Sequence, residues 1–294
     1  MHTVTTVGFV GLGLMGQGFT QRLVERGHGV VGFDIDVGKT KAAAAWGVTP
    51  AKSAAEVAEA ADIVIVCVIN TAAVEDATTG PRGFTAARDI DDKVCVDVST
   101  TELEATKRIA AVLGQRRMDF IDAPVSGGPG AAKAGTLAIM AGGADAAIAK
   151  VAPLMRELGS FTHMGGVGTG QATKLVNQTI VLTNYCVLAE ALRLAQAYGV
   201  DAAKIPEALK AGFAGSNMLG PIFPQMLAED FKPRGFARQV LKDLEMLQGA
   251  ARDKHVAMPM ASQALTLYRL LNASGRAEWD AASVVSLYPR EEGQ

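Results

Sequence analysis

Three clusters in this chain combine residue types and spacings that could do chemistry. The first is Gly11-Leu12-Gly13-Leu14-Met15-Gly16. A turn of this kind brings bare backbone amides up to a phosphate: Gly11 makes the tight turn, Gly13 leaves the backbone open, and Gly16 admits close helix–strand packing. The second is Asp122-Ala123-Pro124-Val125-Ser126-Gly127-Gly128. Unshielded amides beside a serine hydroxyl make a nest for a carboxylate, although this segment alone reads more simply as a glycine loop. The third is Gln171, Lys174 and Gln178, which share a helix face at i, i+3 and i+7, with Asn177 beside them. A helical lysine is ordinarily solvated. Here its neighbours along the helix, Ala172, Leu175, Val176, Ile180, Val181 and Leu182, are apolar. Desolvation lowers a lysine pKa and lets the amine exchange a proton near neutrality. The neighbouring amides could fix its rotamer and hold a substrate hydroxyl.

The elements around the first cluster give it meaning. Residues 4–10 read as a buried strand, 17–26 as a helix ending at Gly27, and 29–33 as a second strand finishing at Asp34. Strand, glycine turn, helix, strand and terminal acid, with the acid about 20 residues on, is the dinucleotide-binding fingerprint. The pyrophosphate would meet the positive end of the helix. Asp34 would accept hydrogen bonds from the ribose hydroxyls and repel a 2′-phosphate. Asp36 adds negative charge, and no Lys or Arg follows until Lys39. NAD is therefore expected rather than NADP. A merely turn-capping Asp34 is the blander alternative.

Further strands are expected at 62–69, 94–98, 119–122 and 136–141, with helices at 42–46, 53–60 and 102–113. This alternation predicts an α/β, doubly wound parallel sheet with helices on both faces. Asp34, Asn70 and Ser99-Thr100 would then line its carboxyl edge, where ligands bind. Beyond the glycines of 165–170 the pattern turns helical: a long helix over 171–198, then 202–211, 236–253 and 260–272, with loops around Pro221, Pro224 and Pro233. The expected division is an NAD-binding domain over 1–166 and an all-helical substrate and dimerisation domain over 167–294. The long helix would run through the centre of that domain or of a dimer.

With 294 residues, 49% of them hydrophobic and 20% charged, the chain can bury a substantial core. A net charge of −2 gives no basic footprint for nucleic acid. The longest uninterrupted apolar run, 63–69, is strand-sized, and no signal-peptide pattern opens the chain. Cys67, Cys95 and Cys186 stand singly in apolar stretches, as buried thiols of a reducing cytoplasm would. His2, His28, His163 and His255 are scattered and read as surface or loop residues, so no metal site is expected. These features predict a cytoplasmic protein without membrane or nucleic-acid partners; a homodimer or homotetramer is also expected.

In order along the chain, Gly8-Phe9-Val10-Gly11-Leu12-Gly13-Leu14-Met15-Gly16, the 122–128 segment, Gly168-x-Gly170-x-x-x-Lys174-x-x-Asn177 and Lys242-Asp243-Leu244 resemble the four signature motifs of the β-hydroxyacid dehydrogenases. That family includes 3-hydroxyisobutyrate dehydrogenase and tartronate semialdehyde reductase and belongs with the 6-phosphogluconate dehydrogenase-like proteins. The resemblance implies that Gly11, Gly13, Leu14, Met15 and Gly16 hold the pyrophosphate and Asp34 the ribose. It places Val68, Ile69 and Asn70 at the end of the strand beneath the cofactor, with Thr100 touching cofactor and substrate. Ser126, Gly127 and Gly128 would bind the substrate carboxylate, Lys174 would be the acid/base, Asn177 would orient the substrate with Gln178 beside it, and Lys242 would reach the cofactor.

Two departures stand out. Many members have proline where this chain has Ile69, and many have asparagine where it has Gln178. The Asn177-Gln178 pair, with Ala214-Gly215-Ser216 and Phe231-Lys232-Pro233, is more similar to tartronate semialdehyde reductases. The implied activity is NAD-dependent interconversion of a small β-hydroxy acid, 3-hydroxyisobutyrate- or glycerate-like, with its semialdehyde or keto acid. Alternatives are a dehydrogenase of serine, threonate or another hydroxy acid, or a catalytically idle NAD-binding assembly or sensor protein. Imine reductases commonly replace the lysine that this chain keeps. The decarboxylating 6-phosphogluconate dehydrogenases are usually longer, and this chain has no basic cluster for a sugar phosphate.

Overall fold

The computed structural model describes residues 5–289; His2 and Val4, named above, lie outside the described residues. The chain divides into two compact units, Met1–Lys174 and Leu175–Gln294. This division falls inside a helix.

The first unit is a nine-stranded sheet flanked by helices. In chain order it runs β1 (Thr6–Val10), α1 (Leu14–Glu25), β2 (Gly29–Phe33), α2 (Val37–Ala43), β3 (Val48–Pro50), α3 (Ala54–Ala60), β4 (Ile63–Val66), α4 (Thr71–Thr79), β5 (Val94–Asp97), α5 (Leu103–Gln115), β6 (Asp119–Asp122), β7 (Val125–Ser126), α6 (Gly128–Ala134), β8 (Leu137–Gly142), α7 (Asp145–Met155) and β9 (Gly159–Gly165). The strand order is β3-β2-β1-β4-β5-β6-β8-β7, with β9 also paired to β8.

Alternate residues of the central strands feed two cores. Val7, Phe9, Ile63, Ile65, Val94 and Val96 pack with Phe19 and Leu23 of α1 and Val151 of α7. Val10, Val64, Val66 and Cys95 pack with Val57 of α3, Val74 of α4 and Ile109 of α5. Burial on both faces explains why these strands read as unbroken apolar runs.

The sheet is not wholly parallel. From β3 to β6 every pairing is parallel, but β8 runs antiparallel to β6 and β7. The parallel part is in register along one line, Phe33–Val10–Val66–Asp97–Asp122, so its carboxyl ends form a straight edge. β4 is shorter than expected, ending at Val66. Val68 and Ile69 therefore lie in the loop, and Asn70 caps α4 by accepting from Ala73 N at 2.9 Å. His28 lies in the loop between α1 and β2 but is buried there, with Nε2 3.3 Å from Glu157 Oε2.

A long helix, α8 (Thr169–Ala197), links the two units. By length and composition alone it is apolar enough to cross a membrane, with mean hydropathy 1.2. Its polar positions, among them Lys174, Gln178, Glu190 and Arg193, interrupt the run in sequence. The second unit continues with α9 (Ile205–Leu209), α10 (Leu219–Leu227), α11 (Ala237–Asp253) and α12 (Pro259–Leu271), packed around Ala189, Leu192, Phe223, Leu244 and Tyr268. α10 occupies a segment expected to be loop around Pro221 and Pro224. Pro221 falls in the first turn, where its missing N–H costs no bond. Leu219, Phe223 and Met226 bury one helical face that holds the segment despite Pro224. Asp280 knits this unit together, accepting from Gln225 Nε2, Arg234 N, Gly235 N and Ala282 N.

Candidate active site

The glycine turn leaves β1 at the carboxyl edge. Gly11 has φ of +97°, and a Cβ there would stand 2.1 Å from the Cys67 carbonyl oxygen. A Cβ on Gly16 would stand 2.0 Å from Gly11 O, so both positions are closed to any side chain. At Gly13 a Cβ would meet nothing within 4 Å. Gly13 is also the N-cap of α1 and offers no side chain to the first amides of the helix. The turn thus has one open face lined with backbone N–H groups, which suits a pyrophosphate.

Asp34 is 8% exposed. Its Oδ2 accepts from Leu12 N at 2.8 Å and its Oδ1 from Asp36 N at 2.8 Å. The carboxylate therefore braces the glycine turn against the β2–α2 turn and caps the latter, while each oxygen keeps a further lone pair for a ribose hydroxyl. Ile35, beside it, is 85% exposed. Lys39, the first cation after β2, lies 3.8 Å from the Asp36 carboxylate.

The edges of β5 and β6 are built on two buried aspartates to which the sequence reading gave no role. Asp97 accepts from Ser99 N at 2.9 Å and from Thr101 Oγ1 at 2.7 Å, shaping the loop that presents Thr100. Ser99 Oγ in turn accepts from Val68 N at 2.9 Å. Asp122 accepts from Gly168 N at 2.7 Å and Gln171 N at 2.8 Å, fastening the first turn of α8 to the sheet. Burial pushes its carboxyl up to about 6, against the pull of those two backbone bonds. An acid ending an apolar strand was the sequence signal available for both.

Gln171 spans the same region: Nε2 donates to Ser99 O at 2.9 Å and Oε1 accepts from Thr101 N at 3.1 Å. Gln178 bonds Asn177 and Asp243 in the second unit. Both amides therefore serve partners beyond Lys174. Lys174 is 7% exposed, and its Nζ donates to Val125 O at 2.7 Å. Val125 immediately precedes Ser126 and the left-handed pair Gly127 (φ +132°) and Gly128 (φ +74°). A Cβ on Gly127 would strike Ala131 Cβ at 2.7 Å, whereas one on Gly128 would meet nothing within 4 Å. Gly127 is the N-cap of α6 without a side-chain cap, leaving amides open beside the Ser126 hydroxyl.

In the second unit, Lys242 Nζ lies 3.0 Å from Asp243 Oδ1. The three cysteines are free thiols. Burial pushes Cys67 and Cys186 up to about 12, which makes them poor nucleophiles at neutral pH.

Residues 6–178 match the family described as the NAD binding domain of 6-phosphogluconate dehydrogenase. Residues 168–288 match the NAD-binding domain of NADP-dependent 3-hydroxyisobutyrate dehydrogenase. The chain is 34% identical to 2-hydroxy-3-oxopropionate reductase of Escherichia coli (strain K12), covering 95% of each chain. It is 32% identical to a probable mitochondrial 3-hydroxyisobutyrate dehydrogenase-like protein of Arabidopsis thaliana, covering 98% of this chain and 89% of that one. Among solved structures it is similar to the Mycobacterium tuberculosis 3-hydroxyisobutyrate dehydrogenase with L-serine, with a TM-score of 0.83 and 30% identity over 97% of this chain and 99% of that one. Matches along essentially its whole length, together with the open glycine turn and the buried lysine, establish that the chain belongs to the β-hydroxyacid dehydrogenase family of NAD(P)-dependent oxidoreductases.

Proposed function

We propose that this protein oxidises a small β-hydroxy acid, or reduces the matching semialdehyde or keto acid, with Lys174 as acid/base. The observation that carries the reading is the hold of the Val125 carbonyl on Lys174 Nζ at 2.7 Å, next to the open amides after Ser126. A substrate carboxylate seated on Ser126, Gly127 and Gly128 would present its β-hydroxyl to that nitrogen. The amine takes the hydroxyl proton during oxidation; in reduction the ammonium returns it and stabilises the alkoxide as charge develops. A nicotinamide cofactor held there would supply the hydride transfer, to or from the carbon bearing the hydroxyl. Gly11, Gly13, Leu14, Met15 and Gly16 would hold the pyrophosphate, Asp34 the ribose, and Val68, Ile69, Asn70 and Thr100 the remaining first-unit contacts. Asn177, one turn from Lys174 along α8, would orient the substrate with Gln178, and Lys242 would serve the cofactor; these last roles rest on the family resemblance.

NAD is preferred in this reading. The support is a carboxylate at position 34, an apolar residue at 35, and a lysine at 39 already paired with Asp36. We also place the protein in the cytoplasm, unattached to membranes or nucleic acid, in keeping with free thiols and near-neutral charge. A homo-oligomer is supported by Val176, Ile180, Val187 and Leu194, apolar and 47–61% exposed on one stripe of α8. Their near-heptad spacing suits a second copy of the same helix.

Initial rates with NAD+ and NADP+ on a panel of hydroxy acids, and light scattering for the oligomer, test these points. Absence of turnover with any β-hydroxy acid would overturn the enzymatic reading. A monomer at micromolar concentration would overturn the assembly.

A further inference from the structure

Asn177, Gln178 and Asp243 form a chain of hydrogen bonds whose direction is set from its far end. Gln178, 7% exposed, donates from Nε2 to Asp243 Oδ2 at 2.5 Å and accepts on Oε1 from Asn177 Nδ2 at 2.8 Å. The other Asp243 oxygen is buried and makes no hydrogen bond, although it forms an ion pair with the Lys242 ammonium at 3.0 Å. An ionised carboxylate can only accept. It therefore forces the NH2 of Gln178 toward itself, which turns the Gln178 carbonyl to Asn177. That in turn draws the NH2 of Asn177 to Gln178 and leaves Asn177 Oδ1 as its uncommitted acceptor.

We propose that Asp243, acting through Gln178, fixes the polarity of Asn177 so that its carbonyl selects β-hydroxy acids with a hydroxyl or ammonium group on the α-carbon. This rests on the assignment of Asn177 to the substrate given above. The reacting hydroxyl has a single proton, and that proton goes to Lys174. An acceptor at Asn177 thus requires a second donor on the substrate. An α-hydroxyl or α-ammonium supplies one, whereas an α-methyl leaves Oδ1 desolvated without a partner. Sites built to bond a polar group reject analogues that lack it far more strongly than apolar pockets reject a size mismatch. Asp243 is a positioning residue in this scheme and takes no part in proton transfer.

The test compares kcat/KM for both enantiomers of glycerate, serine and 3-hydroxyisobutyrate in the native protein, Asp243→Asn and Gln178→Asn. The native protein should favour glycerate or serine over 3-hydroxyisobutyrate by at least about tenfold. In Asp243→Asn the new amide can donate as well as accept, so Gln178 is free to flip and the ratio falls toward one. Gln178→Asn is a methylene too short to reach Asp243 and gives the same collapse should the first variant fold poorly. A purely structural tie between α8 and α11 would instead lower Tm and slow all three substrates in common, leaving the ratio intact. A retained ratio in both variants, or a native protein indifferent to the α-substituent, overturns the proposal. No turnover of any of the three acids with either cofactor would overturn the enzymatic reading itself.

Discussion

Lys174 Nζ donates to the backbone carbonyl of Val125 at 2.7 Å, across forty-nine positions of sequence. This bond holds the amine beside the Ser126–Gly128 loop, where a substrate hydroxyl would meet it. Lys174→Ala should therefore lose at least about 10²-fold in kcat, the low end of general acid/base contributions. NAD affinity should be unchanged, since the glycine turn and Asp34 are untouched. Steady-state kinetics with a fluorescence titration of NADH check both halves. Near-native turnover in Lys174→Ala would reduce the lysine to a packing residue.

Cofactor choice can be separated from structure at the β2–α2 turn. Replacing Asp34 is a compromised test, because its oxygens also serve Leu12 N and Asp36 N. Ile35 is 85% exposed and can take a cation at little structural cost. Ile35→Arg should improve NADP relative to NAD by tenfold or more, as expected for a charge-assisted bond to the 2′-phosphate of about 1.5–3 kcal/mol. Tm should stay put. An unchanged ratio of the two kcat/KM values would place the 2′-hydroxyl elsewhere.

The carboxylate nest calls for Gly128 rather than Gly127 as its probe. A side chain at Gly127 would strike Ala131 and distort α6, confounding folding with binding. Gly128→Ala adds a methyl on the open side, although at φ +74° it also strains the backbone. KM for the hydroxy acid should rise about tenfold or more, since each bond to a carboxylate is worth about 1.5–3 kcal/mol. NAD affinity should hold. A KM that does not move would put the substrate carboxylate on other donors.

Much of the first unit was legible because its strands are apolar on both faces and sharply punctuated. Gly29–Phe33 and Asp119–Asp122 match their expected bounds residue for residue. Overreach came where apolar residues are held open at the carboxyl edge. Ile69 extends the run of β4 in sequence, yet it is 57% exposed in the loop that follows. Hydrophobic pattern cannot distinguish a residue buried by the fold from one awaiting a ligand. α10 was missed because proline was weighed as a breaker irrespective of its place in the turn. At the site, residue types were readable but their partners were not: Gln171 and Gln178 lie on the face of Lys174, and long-range bonds to Ser99 and Asp243 claim them. Asp97 and Asp122 act through contacts that only the sheet register creates.

Asp122 makes the stability of the first unit depend on pH in an unusual direction. Its carboxyl is raised to about 6 by burial, above the usual unfolded value of about 3.9. Between those values the folded protein binds more protons than the unfolded chain, so this group's contribution to stability falls as pH rises. The contribution is fully present below about pH 4 and lost as pH passes through 6. Asp122→Asn removes the titration. It also sets an amide NH2 against one of the two N–H donors, Gly168 or Gln171, and so destabilises at every pH. The penalty relative to the native protein should therefore be larger at pH 4.5 than at pH 7.5, by about 2 kcal/mol from the linkage of a two-unit shift. Urea unfolding of both proteins at the two pH values measures it. A penalty that is equal at both, or greater at pH 7.5, would mean that Asp122 is ionised throughout and that its two backbone bonds outweigh its burial.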